Sequence, residues 1–163
     1  MRIAFTVLGE CVSKANSRQF AARRMRDDEG KVKTRVLSIK SNKALDYERA
    51  VLKQVPPVAR VRLEGPVRIA LRLWYASERP DLDESLLLDC LQDRWKIVKR
   101  AKSGDERVLV QRGCYRNDRQ IREKHVYHAI DRANPRAEVL IEPLHAQQTE
   151  LDFFNPFEET IPA

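Results

Sequence analysis

Val67, Ile69, Leu71, Leu73 and Tyr75 alternate without a break, with Arg68 and Arg72 on the opposite face. A period of two held over that length fits a β-strand with one side in a core, and no helix. The fold is therefore organised around a sheet. The motif Arg79-Pro80-Asp81-Leu82-Asp83 follows this strand directly.

The remaining elements are read from the same periodicities. Ile3, Phe5 and Val7 predict a strand over residues 2–8. Ala44, Tyr47, Val51 and Val55, with Leu52 beside them, predict an amphipathic helix over 43–55, stopped by Pro56-Pro57. Leu87, Leu91, Arg94, Val98 and Ala101 recur at helical spacing and predict a second helix over about 84–101, ending before Gly104. Short strands are expected around 107–111, 122–128 and 137–142. Between the first strand and the first helix, Lys14 to Lys43 is polar and basic, with a turn at Asp27-Asp28-Glu29-Gly30. It reads equally as a solvated loop or as a β-hairpin lying over a phosphate backbone. The expected class is α+β, a mixed or antiparallel sheet packed with two main helices.

At 163 residues and 42% hydrophobic composition, the chain has material for one core. We expect a single domain over 1–145 and a flexible acidic tail over 146–163. No apolar run approaches the ~18 residues of a membrane span, and Met1-Arg2-Ile3-Ala4-Phe5 lacks the core of a secretory signal. A soluble, cytoplasmic protein is expected. Cys11, Cys90 and Cys114 form no CxxC pair, which argues against a disulfide framework and a zinc site. The net charge of +7 is uneven, because the tail holds Glu150, Asp152, Glu158 and Glu159 and no Lys or Arg. The first 145 residues carry +11. A body this basic favours a polyanion, most often nucleic acid.

Acids inside such a body invite a divalent cation between them and phosphate. Residues two apart in an extended segment project to one side, so Asp81 and Asp83 can converge while Leu82 points into the core. Two carboxylates that close repel unless a cation neutralises both. Mg²⁺, with Mn²⁺ able to substitute, is the candidate. Alone, an Asp-x-Asp also suits metal-nucleotide complexes in sugar-transfer enzymes.

The combination is more specific. Arg79-Pro80-Asp81-Leu82-Asp83, then Leu88-Asp89-Cys90-Leu91, then Asn117-Asp118-Arg119-Gln120-Ile121 leading into a strand, resembles the RusA family of Holliday junction resolvases. The early segment from Gly9 to Arg18 and the helix containing Tyr47 are similar too, so the resemblance covers most of residues 1–143. It implies a RusA-like nuclease domain in which Asp81, Asp83 and Asp118 are the catalytic, metal-binding acids. It also implies a homodimer, since cutting a four-way junction on two strands calls for two matched sites. Glu84 stands where the family usually has Asn. A lysine expected in the first helical turns is absent, its place taken by Ser85, Leu86, Leu87 and Leu88. The connection from Asp83 to Asp118, about 34 residues, is longer than relatives use and includes Arg94, Lys96, Lys99 and Arg100. One of these, or Lys14 or Arg79, is a candidate replacement for the lysine.

The expected DNA-contacting residues are Lys14, Asn16, Arg18, Arg79, Lys96, Lys99 and Arg100. In the tail, Gln148-Thr149-Glu150-Leu151-Asp152-Phe153-Phe154 fits the Q-x-x-L-x-F pattern of peptides that bind the bacterial sliding clamp. Leu151, Phe153 and Phe154 would enter an apolar pocket and Gln148 would fix the register. Packing of these side chains on the body is the competing reading. His125 and His128 fall on opposite faces of a strand and receive no chemistry. Trp74, Trp95 and Tyr75 are assigned to the core, and Asp89 and Asp93 to a solvated helix face. The function expected is Mg²⁺-dependent cleavage of Holliday junctions or similar branched DNA in recombination and repair, in association with the nucleoid. The alternative is a weakly catalytic or non-catalytic branched-DNA-binding protein tethered to a clamp.

Overall fold

The computed structural model describes residues 1–14, 18–26, 30–100 and 104–144. In chain order the elements are β1 (Ile3–Leu8), β2 (Arg18–Arg26), β3 (Val32–Lys40), α1 (Asn42–Gln54), β4 (Val67–Tyr75), α2 (Ser85–Leu91), β5 (Arg94–Arg100), β6 (Gly104–Gln111), β7 (Ile121–Ile130) and β8 (Arg136–Pro143). Single 3-10 turns occupy Pro57–Ala59 and Asp118–Gln120. Gln148, Leu151, Phe153 and Phe154 lie outside the described residues.

β4 sits inside a four-stranded mixed sheet of order β1-β8-β4-β7. It runs antiparallel to β8, with Leu71 opposite Val139, and parallel to β7, with Leu71 opposite Val126. β1 closes the other edge, with Phe5 opposite Val139. The alternation of β4 works as its sequence demands. Val67, Ile69, Leu71, Leu73 and Tyr75 are buried against the helices, while Arg68 and Arg72 are exposed. Ala44, Tyr47 and Val51 of α1 and Leu86, Leu87 and Leu91 of α2 complete one continuous core with this face. Each leucine buried there is worth on the order of 1.5–3 kcal/mol relative to exposure. α1 is capped by Ser41, whose hydroxyl accepts from the Ala44 amide at 3.3 Å. At its other end the Arg60 guanidinium donates to the Leu52 and Val55 carbonyls at 2.6 and 3.3 Å, satisfying two orphan acceptors.

The second helix is shorter than its periodicity predicts. α2 stops at Leu91, Gln92 turns extended (φ −87°, ψ 169°), and residues 94–100 form a strand. The cause is tertiary. The buried Asp93 carboxylate accepts from the Gly113 amide at 3.0 Å and from Arg62 Nε at 2.8 Å, which pins the chain where a helix would have continued. Beyond it, Trp95, Ile97 and Val98 are strand formers that pair across β6. The basic segment resolves as a hairpin, β2 with β3. Among the described residues, neither ribbon pairs with the main sheet. Among the described residues no helix is long and apolar enough to cross a membrane.

Trp95 is 40% exposed on the β5–β6 ribbon rather than in the core, with the Arg107 guanidinium 5.0 Å from its ring centre. Trp74 lies on the outer sheet face beneath Arg136, whose guanidinium is 4.5 Å from the ring. Tyr75 is buried as expected, and His128 stacks on it from the inner face of β7.

Candidate active site

The Arg79–Asp83 segment carries no regular structure, and its side chains divide differently from an ideal strand. Leu82 is 59% exposed rather than in the core, Asp81 is exposed, and Asp83 turns inward. The inward turn follows from its hydrogen bonds. Asp83 Oδ2 accepts from the Lys14 amide at 2.8 Å and the Ser13 hydroxyl at 3.1 Å, and Oδ1 accepts from the Ser85 amide at 2.9 Å. The last of these satisfies an orphan donor in the first turn of α2. Burial pushes the Asp83 carboxyl up, but the Ser85 hydroxyl and amide, the Lys14 amide and the Ser13 hydroxyl outweigh it and hold the pKa at about 2.

This depression sets a pH dependence. A carboxyl with a folded-state pKa below its unfolded value contributes stability that is complete above the unfolded pKa, near 4, and is lost as the pH falls toward the folded value. Acid unfolding of the wild type followed by circular dichroism should therefore gain a component between about pH 4 and pH 2 that Asp83→Asn lacks.

Lys14 links Asp83 to the helix. While its amide holds Asp83, its ammonium pairs with Asp89 Oδ2 at 2.7 Å. Asp89 is thus a rim residue held by a cation, not a solvated helix acid. From Asp89 Oδ1 the contacts pass to Gln92 Nε2 at 3.4 Å, and Gln92 Oε1 accepts from the Asp118 amide at 3.3 Å. Asp83, Asp89 and Asp118 are strung along one polar rim by Lys14 and Gln92. Lys124, on the inner face of β7, reaches Glu84 at 2.5 Å, which puts a second ammonium beside the start of α2. Sequence spacing gives no hint of either pairing, since Lys14 and Asp89, or Glu84 and Lys124, meet only through the fold.

The Asn117–Ile121 segment has a clear structural role. The Asn117 side chain accepts from the Arg119 amide at 3.1 Å, and Gln120 Oε1 accepts from the Arg116 and Asn117 amides at 2.7 and 3.2 Å. Gln120 Nε2 donates to the Leu63 and Gly65 carbonyls at 3.0 and 2.6 Å. The turn is stapled to the body, and Asp118 is left exposed.

The three acids do not form a closed cage. Among the described residues no three His, Cys, Asp or Glu side chains are grouped so as to hold a metal ion. Mg²⁺ seldom asks for one, because it usually takes one or two carboxylates and completes its shell with water and substrate phosphate oxygens. A charged Asp83 beside an exposed Asp81, with Asp118 on the same rim, has the donor chemistry for an ion shared with substrate. The thiols do not. Burial raises Cys11 and Cys114 to about 11 and Cys90 to about 12, so all three stay protonated at neutral pH.

The expected DNA-contacting residues divide between this rim and the two ribbons. Lys14 is in it, and Arg79 lies in the loop that leads into it. Arg18 begins β2, and Lys96, Lys99 and Arg100 belong to β5. Asn16 is outside the described residues. The two ribbons share a root at Glu48 of α1, whose carboxylate receives Lys40 from the end of β3 at 2.6 Å and Arg94 from the start of β5 at 2.7 Å. Burial pushes the Glu48 pKa up, but Lys40 and Arg94 overcome it and lower the pKa. Compared with known proteins, the chain matches no protein-family model and no curated protein.

Proposed function

We propose that this chain is a Mg²⁺-dependent endodeoxyribonuclease selective for Holliday junctions or similar branched DNA, of the RusA kind, with Asp81, Asp83 and Asp118 as its catalytic acids. The observation that carries the reading is the acidic rim rooted beside two basic ribbons, in a body of charge +11 over its first 145 residues. Such acids repel an approaching phosphate unless a cation joins the two.

A bound Mg²⁺ would polarise the scissile phosphate and activate water. The chain's own residues prepare for it. Asp83 is ionised at any physiological pH, and its three donors fix its orientation. Lys14 and Lys124 supply ammonium groups near the start of α2, where the resembled family carries a lysine on the helix itself. Either cation stabilises charge that builds on phosphate during displacement. A homodimer would supply the two sites that paired incisions require, and the tail residues Gln148, Leu151, Phe153 and Phe154 would bring the enzyme to a sliding clamp at the nucleoid.

One observation favours the second reading, a branched-DNA-binding protein with little or no cleavage. Both Asp83 oxygens are already engaged, and Lys14 is committed to Asp89. A labelled four-way junction incubated with the protein, with and without Mg²⁺, separates the two. Paired, symmetric nicks that need Mg²⁺ support the nuclease. Tight binding without nicks at any Mg²⁺ or Mn²⁺ concentration supports the binder.

A further inference from the structure

We propose that the β2–β3 ribbon enters the major groove of a DNA duplex and is the main phosphate-binding element of this chain. The inference rests on the nucleic-acid part of the reading above, and not on the metal site.

Seven of the eighteen residues in β2 and β3 are Arg or Lys, and none is acidic. Two cross-strand pairs set cation directly opposite cation, Arg18 with Lys40 and Arg23 with Arg35. Like charges facing each other across a ladder destabilise it by roughly 0.2–1 kcal/mol per pair. Lys40 finds relief in Glu48 at the root, but neither strand offers Arg23 and Arg35 a carboxylate of its own. A two-stranded ribbon is marginal in water to begin with. This one also exposes Phe20 at 80% and Val36 at 65%. Charge and apolar exposure together describe an element whose natural surroundings are anionic and partly dry.

The distribution of charge selects the groove over a flat surface. Alternation puts Arg18, Arg24, Arg26 and Lys40 on one face and Arg23, Lys33 and Arg35 on the other. A ribbon lying flat on a polyanion needs cations on one face only. A ribbon sunk between two phosphate walls meets anions on both sides. The major groove, about 12 Å wide, admits a two-stranded ribbon. Nine residues at ~3.3 Å each give a ribbon of roughly 30 Å, a little under one turn of duplex. Phe20 and Val36 share a face with Arg24 and Arg26, so their apolar surface is withdrawn from water as that face meets its wall. β2 starts four residues after Lys14, whose amide holds Asp83, so a duplex gripped by the ribbon lies next to the acidic rim.

The test is the salt dependence of binding to a labelled linear duplex and to a four-way junction, measured by anisotropy in EDTA with the full chain. Arg23→Ala/Arg35→Ala strips one face and Arg24→Ala/Arg26→Ala strips the other. Each phosphate contact contributes about 0.9 to the slope of log K against log salt. Each pair should therefore flatten the slope by about 1.8, and the four together by about 3.6, on both probes. The Arg→Lys versions should keep the wild-type slope, which excludes a folding defect as the cause. An unchanged slope in the fourfold variant overturns the proposal, as does a change confined to one face, the signature of a ribbon lying flat. A fourfold variant that alters oligomeric state and leaves the slope intact overturns it in favour of contact with a second copy. Failure of the wild type to bind either probe would remove the nucleic-acid reading as well, a different outcome from failure of the ribbon alone.

Discussion

Asp83→Asn should lower Mg²⁺-dependent nicking of a four-way junction by about 10²–10³-fold or more, while junction binding in EDTA should be kept or tightened. The substitution preserves size but turns one of the two oxygens into an NH₂ donor, so either the Ser85 amide or the Lys14 amide and Ser13 hydroxyl lose their acceptor. That costs about 1–3 kcal/mol, and retained junction binding would show that the fold survives it. What disappears is the charge, which the wild-type site holds firmly ionised with a pKa of about 2. Removing one preorganised electrostatic element from a phosphoryl-transfer site typically costs rate on this scale. Binding should go the other way, because a negative charge would no longer face phosphate. Nicking on a time course, paired with anisotropy, reads both effects. Undiminished Mg²⁺-dependent cutting by Asp83→Asn would contradict the site assignment.

Gly113→Ala should lower the melting temperature by roughly 10 °C, the equivalent of about 3 kcal/mol or more in a chain this long. A Cβ at Gly113 would sit 2.3 Å from the Gln92 carbonyl carbon, 2.4 Å from Leu91 O and 2.6 Å from the Asp93 amide nitrogen, all of them backbone atoms that cannot rotate away. Hydrogen bonds wedge the segment there. The Arg62 and Leu63 amides donate to Gly113 O and Cys114 O at 3.0 and 2.7 Å, the Cys114 amide donates to Leu91 O at 2.7 Å, and the Asp93 amide donates to Tyr115 O at 3.1 Å. This threading brings the Asp118 turn back to Gln92 after the β5–β6 ribbon. Nicking should therefore fall together with stability. Gly104→Ala is the control. Gly104 has φ +79° but open space where a Cβ would stand, so the change should cost only the ~1–2 kcal/mol of a left-handed backbone. Equal melting temperatures for the two variants would refute the wedge.

How far the sequence reveals this molecule depends on whether the signal is local. The alternation from Val67 to Tyr75 and the Ala44–Tyr47–Val51 stripe are decided by burial on one face, and both elements form where the pattern puts them. The α+β class follows. The stretch after Leu91 misleads because Leu87, Leu91, Arg94 and Val98 satisfy a helical spacing, while the deciding interaction joins Asp93 to Gly113 and Arg62, far away in the chain. Asp83 stands out in the sequence for its neighbour Asp81, yet its partners, Ser13 and Lys14, lie about seventy residues earlier. In sequence, Asp89 resembles one half of a solvated i,i+4 pair with Asp93. The structure buries one and ion-pairs the other, because the helix ends between them. Charge is legible as a total, but its two-faced arrangement on β2 and β3 needs the strand register.

Asp83 and Asp118, linked here through Lys14, Asp89 and Gln92, are proposed to serve one cation when substrate phosphate is present. Paramagnetic Mn²⁺ titrated into the isotope-labelled protein bound to an uncleavable four-way junction tests this directly. The amides of the Asp81–Asp83 segment and of the Asp118 turn should broaden together, at the same substoichiometric Mn²⁺, and Asp83→Asn should weaken both. Broadening of one segment without the other, or of neither, would contradict the account.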